Sequence, residues 1–340
     1  MTNENLFEKN GLYPVVTNSS TNNGVTGYTN LLPTEKGNMI TYSDTTTSDG
    51  IFYQPTDYVG YSHIQGLYPL IYKEKWKYKS LMYIVTCFRK VASGRFDYGN
   101  KFNRNIAKEM LIQLPTKDGE IDFEFMDAYI SELEEERISE LSAYLTVSGL
   151  DNYELSNEEK EALENLKLVQ WEEYNLEKLF GKSTRGKRLK SDDRINGSLP
   201  FVTAGEANTG ISDFIGNKVE VFSKNTITID MFGSAKYRNY NYGGDDHIAV
   251  VHTEKIKQES AIFITSAVHK SSYNGQFNYG RNFYAKDADT LNIMLPTKNN
   301  EIDFTYMELL ISAIKKLVIK DVVLYADKKI EATKKVISKN

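Results

Sequence analysis

Four histidines, one cysteine and two adjacent aspartates are the side chains best able to make or break bonds. His63, His247, His252 and His269 could hold a metal or carry a proton. None of them stands in an HExxH or comparable ligand spacing. Asp245-Asp246 could work as an acid and base, but the related stretch Val59-Gly60-Tyr61 has no acid, so a loop is the simpler reading. Gly205-Glu-Ala-Asn-Thr-Gly210 lacks the lysine of a phosphate loop. Cys87 lies in an apolar run, residues 82–88, which suits buried packing better than nucleophilic attack. There is no methyltransferase cofactor loop and no nuclease carboxylate cluster. The sequence therefore points to a non-catalytic chain with no metal and no cofactor of its own.

The 340 residues suit about two domains of roughly 150 residues each. Hydrophobic residues make up 40% and charged residues 26%, the composition of a globular protein rather than a disordered one. No apolar run approaches the roughly 20 residues that span a bilayer. The polar start MTNENLFEKN does not read as a signal peptide, and a single cysteine suits the cytoplasm. Net charge is −5, unevenly spread. Residues 118–173 hold 18 acidic and 3 basic side chains, a net of −15. Residues 1–117 and 174–300 are each +4, and residues 301–340 are +2. An acidic middle masks two mildly basic regions.

These regions are copies of one another. LPTKDGEIDF at 114–123 returns as LPTKNNEIDF at 295–304, a shift of 181 with eight of ten residues identical. Phe96-Asp-Tyr-Gly99 returns as Phe277-Asn-Tyr-Gly280, and Phe102 as Phe283. Pro14-Val-Val-Thr17 answers Pro200-Phe-Val-Thr203, Asn23-Gly24-Val25 answers Thr209-Gly210-Ile211, and Asn38-Met-Ile-Thr41 answers Asn225-Thr-Ile-Thr228. A period this long makes each copy a whole domain rather than a solenoid turn. The runs 226–230, 247–252 and 261–265 read as strands, and residues 239–246 as a loop. Beyond Phe123 and Phe304, apolar residues recur every three or four positions and predict long helices, capped by Asp122 and Asp303. Gly149 is a helix stop, and Ser156 with Glu159 is a capping box that opens another helix. The acidic helical region and the C-terminal helix, +5 from Lys315 to Asn340, are suited to pair antiparallel through their apolar stripes.

Trp171-x-x-Tyr-x-Leu-x-x-Leu-Phe180, then Gly186-Lys-Arg-Leu189 and Pro200-Phe-Val-Thr-Ala-Gly205, resembles the start of a target recognition domain of type I restriction–modification specificity subunits. The LPTK-x-x-EIDF ending before a long helix is similar to the junction with the helical spacer of that family. The stretch YLTVSGLDNYELSNEEK looks like a spacer insertion. The resemblance spans nearly the whole chain. It implies an α/β (α+β) fold with two tandem recognition domains, each followed by a long helical conserved region, the helices forming an antiparallel coiled coil. The divisions expected are 1–117, 118–170, 171–300 and 301–340. It also implies a non-catalytic, cytoplasmic chain, with no membrane contact, that binds double-stranded DNA, two modification (methyltransferase) subunits and a restriction subunit. S-adenosylmethionine would belong to the modification subunit. One departure stands out: the first copy has no counterpart to residues 171–190 and so reads as an abbreviated domain.

Phosphate contacts by Lys and Arg give affinity, while Arg, Lys, Asn and Gln on base edges give sequence preference. The candidates in the first copy are Asn22, Arg89, Lys90, Arg95, Lys101 and Arg104. In the second they are Lys187, Arg188, Asn208, Lys236, Tyr237, Arg238, Lys270, Tyr273, Asn274 and Arg281. Tyr98-Gly99 and Tyr279-Gly280 read as turns with packed rings. Two alternatives stay open. One is the specificity component of a related enzyme whose partner fuses both activities. The other is an antirestriction or interaction protein that occupies modification subunits, which would call for acidic rather than +4 recognition domains.

Overall fold

The same two positions bend the chain in both copies. Asp118 and Gly119 have φ of 52° and 82°, and Asn299 and Asn300 have φ of 54° and 61°. Positive φ at both central residues is the type I′ turn that joins two strands tightly, and Asp, Asn and Gly tolerate it best. Each hairpin then passes straight into a long helix. Asp122 and Asp303 accept the backbone N–H of Phe125 and Tyr306, both at 2.9 Å, and so cap the helices as expected.

The computed structural model describes residues 6–44, 48–96 and 99–337, with the side chains of residues 48 and 334–337 left aside. The expected Tyr98 turn lies outside these described residues. Two compact units result: residues 1–143 with 326–340, and residues 144–325. Both division points fall inside long helices.

The first unit contains β1 (Tyr13–Val16), β2 (Val25–Thr29), β3 (Met39–Ser43), β4 (Phe52–Gln54), β5 (Val59–Gly60) and β6 (Ile64–Leu67). These are followed by α1 (Tyr78–Ala92), α2 (Arg104–Glu109), the hairpin β7 (Thr116–Lys117) and β8 (Glu120–Ile121), and α3 (Phe123–Val147). β1 lies between antiparallel β2 and parallel β5, and β3 lies between antiparallel β4 and β6. Ile40 and Tyr42 of β3 form a core with Leu81, Val85 and Phe88 of α1 and with Phe102. Burial of such a cluster is the main stabilising term.

The second unit opens with α4 (Asn157–Glu164), β9 (Gln170–Asn175), α5 (Leu176–Phe180) and β10 (Thr184–Arg185). It continues with β11 (Asn196–Val202), β12 (Ile211–Ile215), β13 (Val221–Phe222), β14 (Thr226–Asp230), β15 (Ala235–Arg238), β16 (Tyr242–Gly244) and β17 (Ile248–Val251). It closes with α6 (Gln258–Ser272), α7 (Ala285–Asp289), β18 (Asn292–Lys298), β19 (Glu301–Ile302) and α8 (Phe304–Ile337). The topology repeats: β11 lies between antiparallel β12 and parallel β16, and β14 lies between antiparallel β15 and β17. The core gathers Ile227, Ile229, Ile264, Val268, Phe283, Ile293 and Leu295.

Two local expectations are corrected. Residues 261–265, read as a strand, lie in the middle of α6. A short apolar run does not separate a buried strand from a buried helix; here the length of the element and its small residues Ser260, Ala261 and Ala267 favour the helix. Within the expected loop 239–246, Tyr242–Gly244 is a strand. Inside the second unit one ion pair joins the acidic helical region to the C-terminal helix. The Ser156–Glu159 capping box forms and opens α4, and Gly149, at φ 65°, follows the end of α3. The buried Glu159 carboxylate of α4 takes Lys316 Nζ at 2.9 Å and Ser312 Oγ at 2.6 Å, both from α8.

Candidate nucleic-acid interface

In each unit, loops gather where β1 or β11, β3 or β14, and β5 or β16 end. The first of these loops is a turn with the same construction twice. Asn22 and Asn208 take φ of 48° and 47°. Their amide groups donate to the carbonyls three residues on, Val25 at 2.8 Å and Ile211 at 3.4 Å. Both asparagines are exposed, and both also shape their own turn.

Beneath the turn lies a buried polar group. In the first unit Gln54 Nε2 donates to Thr41 Oγ1 at 2.9 Å and to the Asn23 carbonyl at 3.1 Å. In the second, Arg238 donates from Nε to Thr228 Oγ1 at 2.9 Å and from Nη1 to the Thr209 carbonyl at 2.8 Å. Thr41 answers Thr228 and Asn23 answers Thr209, so Gln54 and Arg238 hold the same place. Arg238 is 1% exposed, and its guanidinium also donates to the Tyr240 hydroxyl at 2.9 Å. This corrects its assignment as a DNA contact, because the side chain is buried and its Nε and Nη1 are engaged within the unit. Tyr237 is half-buried, and its hydroxyl donates to Asn225 Oδ1 at 2.9 Å, as Tyr53 does to Asn38 at 3.1 Å.

Lys187 and Arg188 are exposed on the loop after β10. Lys187 N–H donates to the Gly244 carbonyl at 2.9 Å, and a Cβ on Gly186 would stand 1.9 Å from that oxygen. Only glycine lets this basic loop lie so close to the end of β16. Lys270, Tyr273 and Asn274 are exposed at the end of α6. Gly233, with φ 87°, accepts Ser272 Oγ at 2.6 Å and leaves no room for a Cβ, 2.3 Å from the Ser272 carbonyl. This fastens the end of α6 to the β14–β15 turn. Lys236 is largely withdrawn, between Glu206 at 3.2 Å and Asp230 at 3.7 Å. Arg281 lies over the Phe277 ring and pairs with Asp287. Burial would raise the Asp287 pKa, but bonds from Arg281 and the Tyr284 N–H outweigh it and hold the carboxyl below its ordinary value.

The first unit offers Lys90 and Lys101, both exposed. Arg89 lies over Phe52 at 4.8 Å and donates to the Ile51 carbonyl at 2.7 Å. Arg95 lies over Phe96 at 5.7 Å, and Arg104 donates to Gln65 at 2.9 Å. Residue type alone did not single out Tyr279. Its ring is 85% exposed, edge-on to Phe232 at 5.2 Å, so the expected packed ring is only partly realised. Its position between Asn278 and Arg281 was the available signal. Asp245, Asp246 and His247 place ligand atoms within 4.8 Å of one another and could hold a cation, although Asp245 also accepts the Leu189 N–H at 3.4 Å. Cys87 is half-buried rather than fully packed away, and burial pushes its thiol up. Among the described residues no helix is long and apolar enough to cross a membrane.

A family model described as the type I restriction modification DNA specificity domain matches residues 1–143 and residues 169–324. A curated relative, the specificity subunit S.BcgI of the type II restriction enzyme BgcI from Heyndrickxia coagulans, is 25% identical over 232 residues. That stretch is 67% of this chain and 64% of the relative, so the chain spans a little under two thirds of that protein's length. In fold, the chain is similar to the type I restriction–modification S subunit from M. genitalium. The TM-score is 0.51 at 16% identity, over 99% of this chain and 89% of that one. The duplicated domains and the two family matches agree, and the chain belongs to the type I restriction modification DNA specificity domain family.

Proposed function

We propose that this protein is the sequence-specific DNA-binding subunit of a type I-like restriction–modification complex. Each unit docks one half of a split double-stranded target, and the helical segments fix the distance between the halves. The observation that carries the reading is the duplicated rim of loops. Cationic and amide side chains recur at its matching places: Asn22 with Asn208, and the α1 end (Arg89, Lys90) with the α6 end (Lys270). The two long helices dock two modification subunits. Val318 of α8, 74% exposed among lysines, suits a protein partner. Methyl transfer from S-adenosylmethionine and DNA cleavage belong to the modification and restriction subunits, and this chain supplies binding.

The curated relative serves a type II restriction enzyme, which favours a second reading in which one partner chain carries both activities. Co-purification from the native host separates the two by the number and size of the partners. The primary test is DNA binding by the chain assembled with a modification subunit. Affinity should fall linearly in a log–log plot against salt. No DNA binding by that complex would sink the proposal.

A further inference from the structure

Glu206 is an acid on the rim of loops of the second unit, exposed on the turn between β11 and β12. It does not hang free. Lys236 Nζ donates to Glu206 Oε1 at 3.2 Å and to Ser234 Oγ at 2.9 Å. Asp230, 3% exposed, approaches the same ammonium at 3.7 Å. Asp230 is fixed in turn, because its Oδ1 accepts the N–H groups of Phe232 and Ser234, both at 3.0 Å. Bonds from Ser234 and Lys236 outweigh burial and hold the Glu206 carboxyl below its ordinary value. The carboxylate therefore stays ionised and tethered at the rim.

The internal repeat separates this set of side chains from the frame that carries it. The turns 17–24 and 203–210 have equal length and close alike, by Thr17 N–H to the Gly24 carbonyl at 2.8 Å and Thr203 N–H to the Gly210 carbonyl at 2.9 Å. Counting along them sets Ser20 at the place of Glu206. Strand register sets Phe52, opposite Thr41, at the place of Lys236, opposite Thr228. Two residues beyond those threonines, Ser43 answers Asp230. The mutually contacting Glu206, Lys236 and Asp230 are thus replaced together, while Asn22 and Asn208, and Thr41 and Thr228, are kept. In the first unit Arg89 of α1 lies over the Phe52 ring at 4.8 Å instead. Two units on one frame can read different bases only through positions that change without disturbing it.

We propose that Glu206 is a base-reading residue of the second unit. It accepts a hydrogen bond from an exocyclic amino group in the major groove, cytosine N4 or adenine N6, and Lys236 is its positioning residue. The inference rests on the DNA-binding reading above. A carboxylate is repelled by phosphates, so backbone contact is closed to it, whereas base edges offer donors that a glutamate accepts. Lys236 offsets part of the repulsion and fixes the side chain, which lowers the ordering cost of the contact. Choosing candidates by positive charge passes over such a residue.

The test selects duplexes from a randomised pool with the chain assembled with a modification subunit, comparing native, Glu206→Ala, Glu206→Gln and Lys236→Gln. Glu206→Ala should flatten the base preference at one position about tenfold and leave the rest of the motif intact. Glu206→Gln should favour adenine there, since an amide pairs with adenine N6 and N7. Lys236→Gln should blur the same position, whereas a merely structural lysine would lower affinity evenly. The base that the native chain prefers there tells cytosine from adenine. N-methylation of its amino group should weaken the native complex about tenfold and the Glu206→Ala complex hardly at all. A motif left unchanged by Glu206→Ala, or an even loss at every position, overturns the inference and leaves the DNA-binding reading standing. A motif left unchanged by Lys236→Gln overturns the positioning role. No enriched motif with the native chain overturns both the inference and the reading beneath it.

Discussion

A lysine or arginine in a loop-rich basic domain reads as a DNA contact by type alone, and burial decides which ones face solvent at all. Lys236 and Arg238, two apart, share one face of β15, and that face is turned inward. Position 238 needs a long donor that reaches a threonine and a turn carbonyl, which Gln54 also does. Arg238→Ala should therefore cost about 2–3 kcal/mol by leaving Thr228 and the Thr209 carbonyl unmet. Arg238→Gln should keep most of that stability. Urea unfolding of both variants checks this, and equal losses would refute the shared role. Conversely, Lys187→Ala, Arg188→Ala and Lys270→Ala should leave the free energy of unfolding in urea within about 0.5 kcal/mol of the native chain's. Each should lower the salt slope of DNA binding by the assembled complex by about 1.

At the level of elements, caps were legible because they depend on neighbours in sequence. The caps at Asp122, Asp303 and Ser156–Glu159 form where residue type places them, while the I′ turns at 118–119 and 299–300 came only with the structure. The Glu159–Lys316–Ser312 contact was not legible, since it joins side chains more than 150 residues apart. Burial alone would raise the Glu159 pKa. The bonds from Ser312, Lys316 and the Ser156 N–H outweigh burial and hold the carboxyl below its ordinary 4.5. A carboxyl depressed in the folded state stabilises above its unfolded value, and that contribution is lost as pH falls through the folded one. The gap in urea midpoint between the native chain and Glu159→Gln should thus be widest near pH 7 and narrow below about pH 4.5. A gap independent of pH would contradict this. Lys316→Ala should cost about 1–3 kcal/mol by stranding a buried carboxylate. Gly186→Ala, whose Cβ would meet the Gly244 carbonyl, should shift the 186–190 loop and slow DNA association by the complex.

For the whole molecule, the proposed reading makes a genome-scale prediction. Methylation mapped with and without this chain, alongside its modification subunit, should show a split motif if both units read DNA. A single half or a palindrome would mean that the first unit contributes no sequence preference. The sequence by itself determined the duplication, the family and the hidden charge division, because identity at a fixed shift and net charge are properties of the chain and need no coordinates. Only the tertiary structure decided which cations face solvent, that residues 261–265 are helix, and that residues 170–175 pair as a strand along residues 292–297. Each of these depends on contacts between residues far apart in sequence, and burial, which sets the energy of a polar or apolar group, exists only once those contacts form.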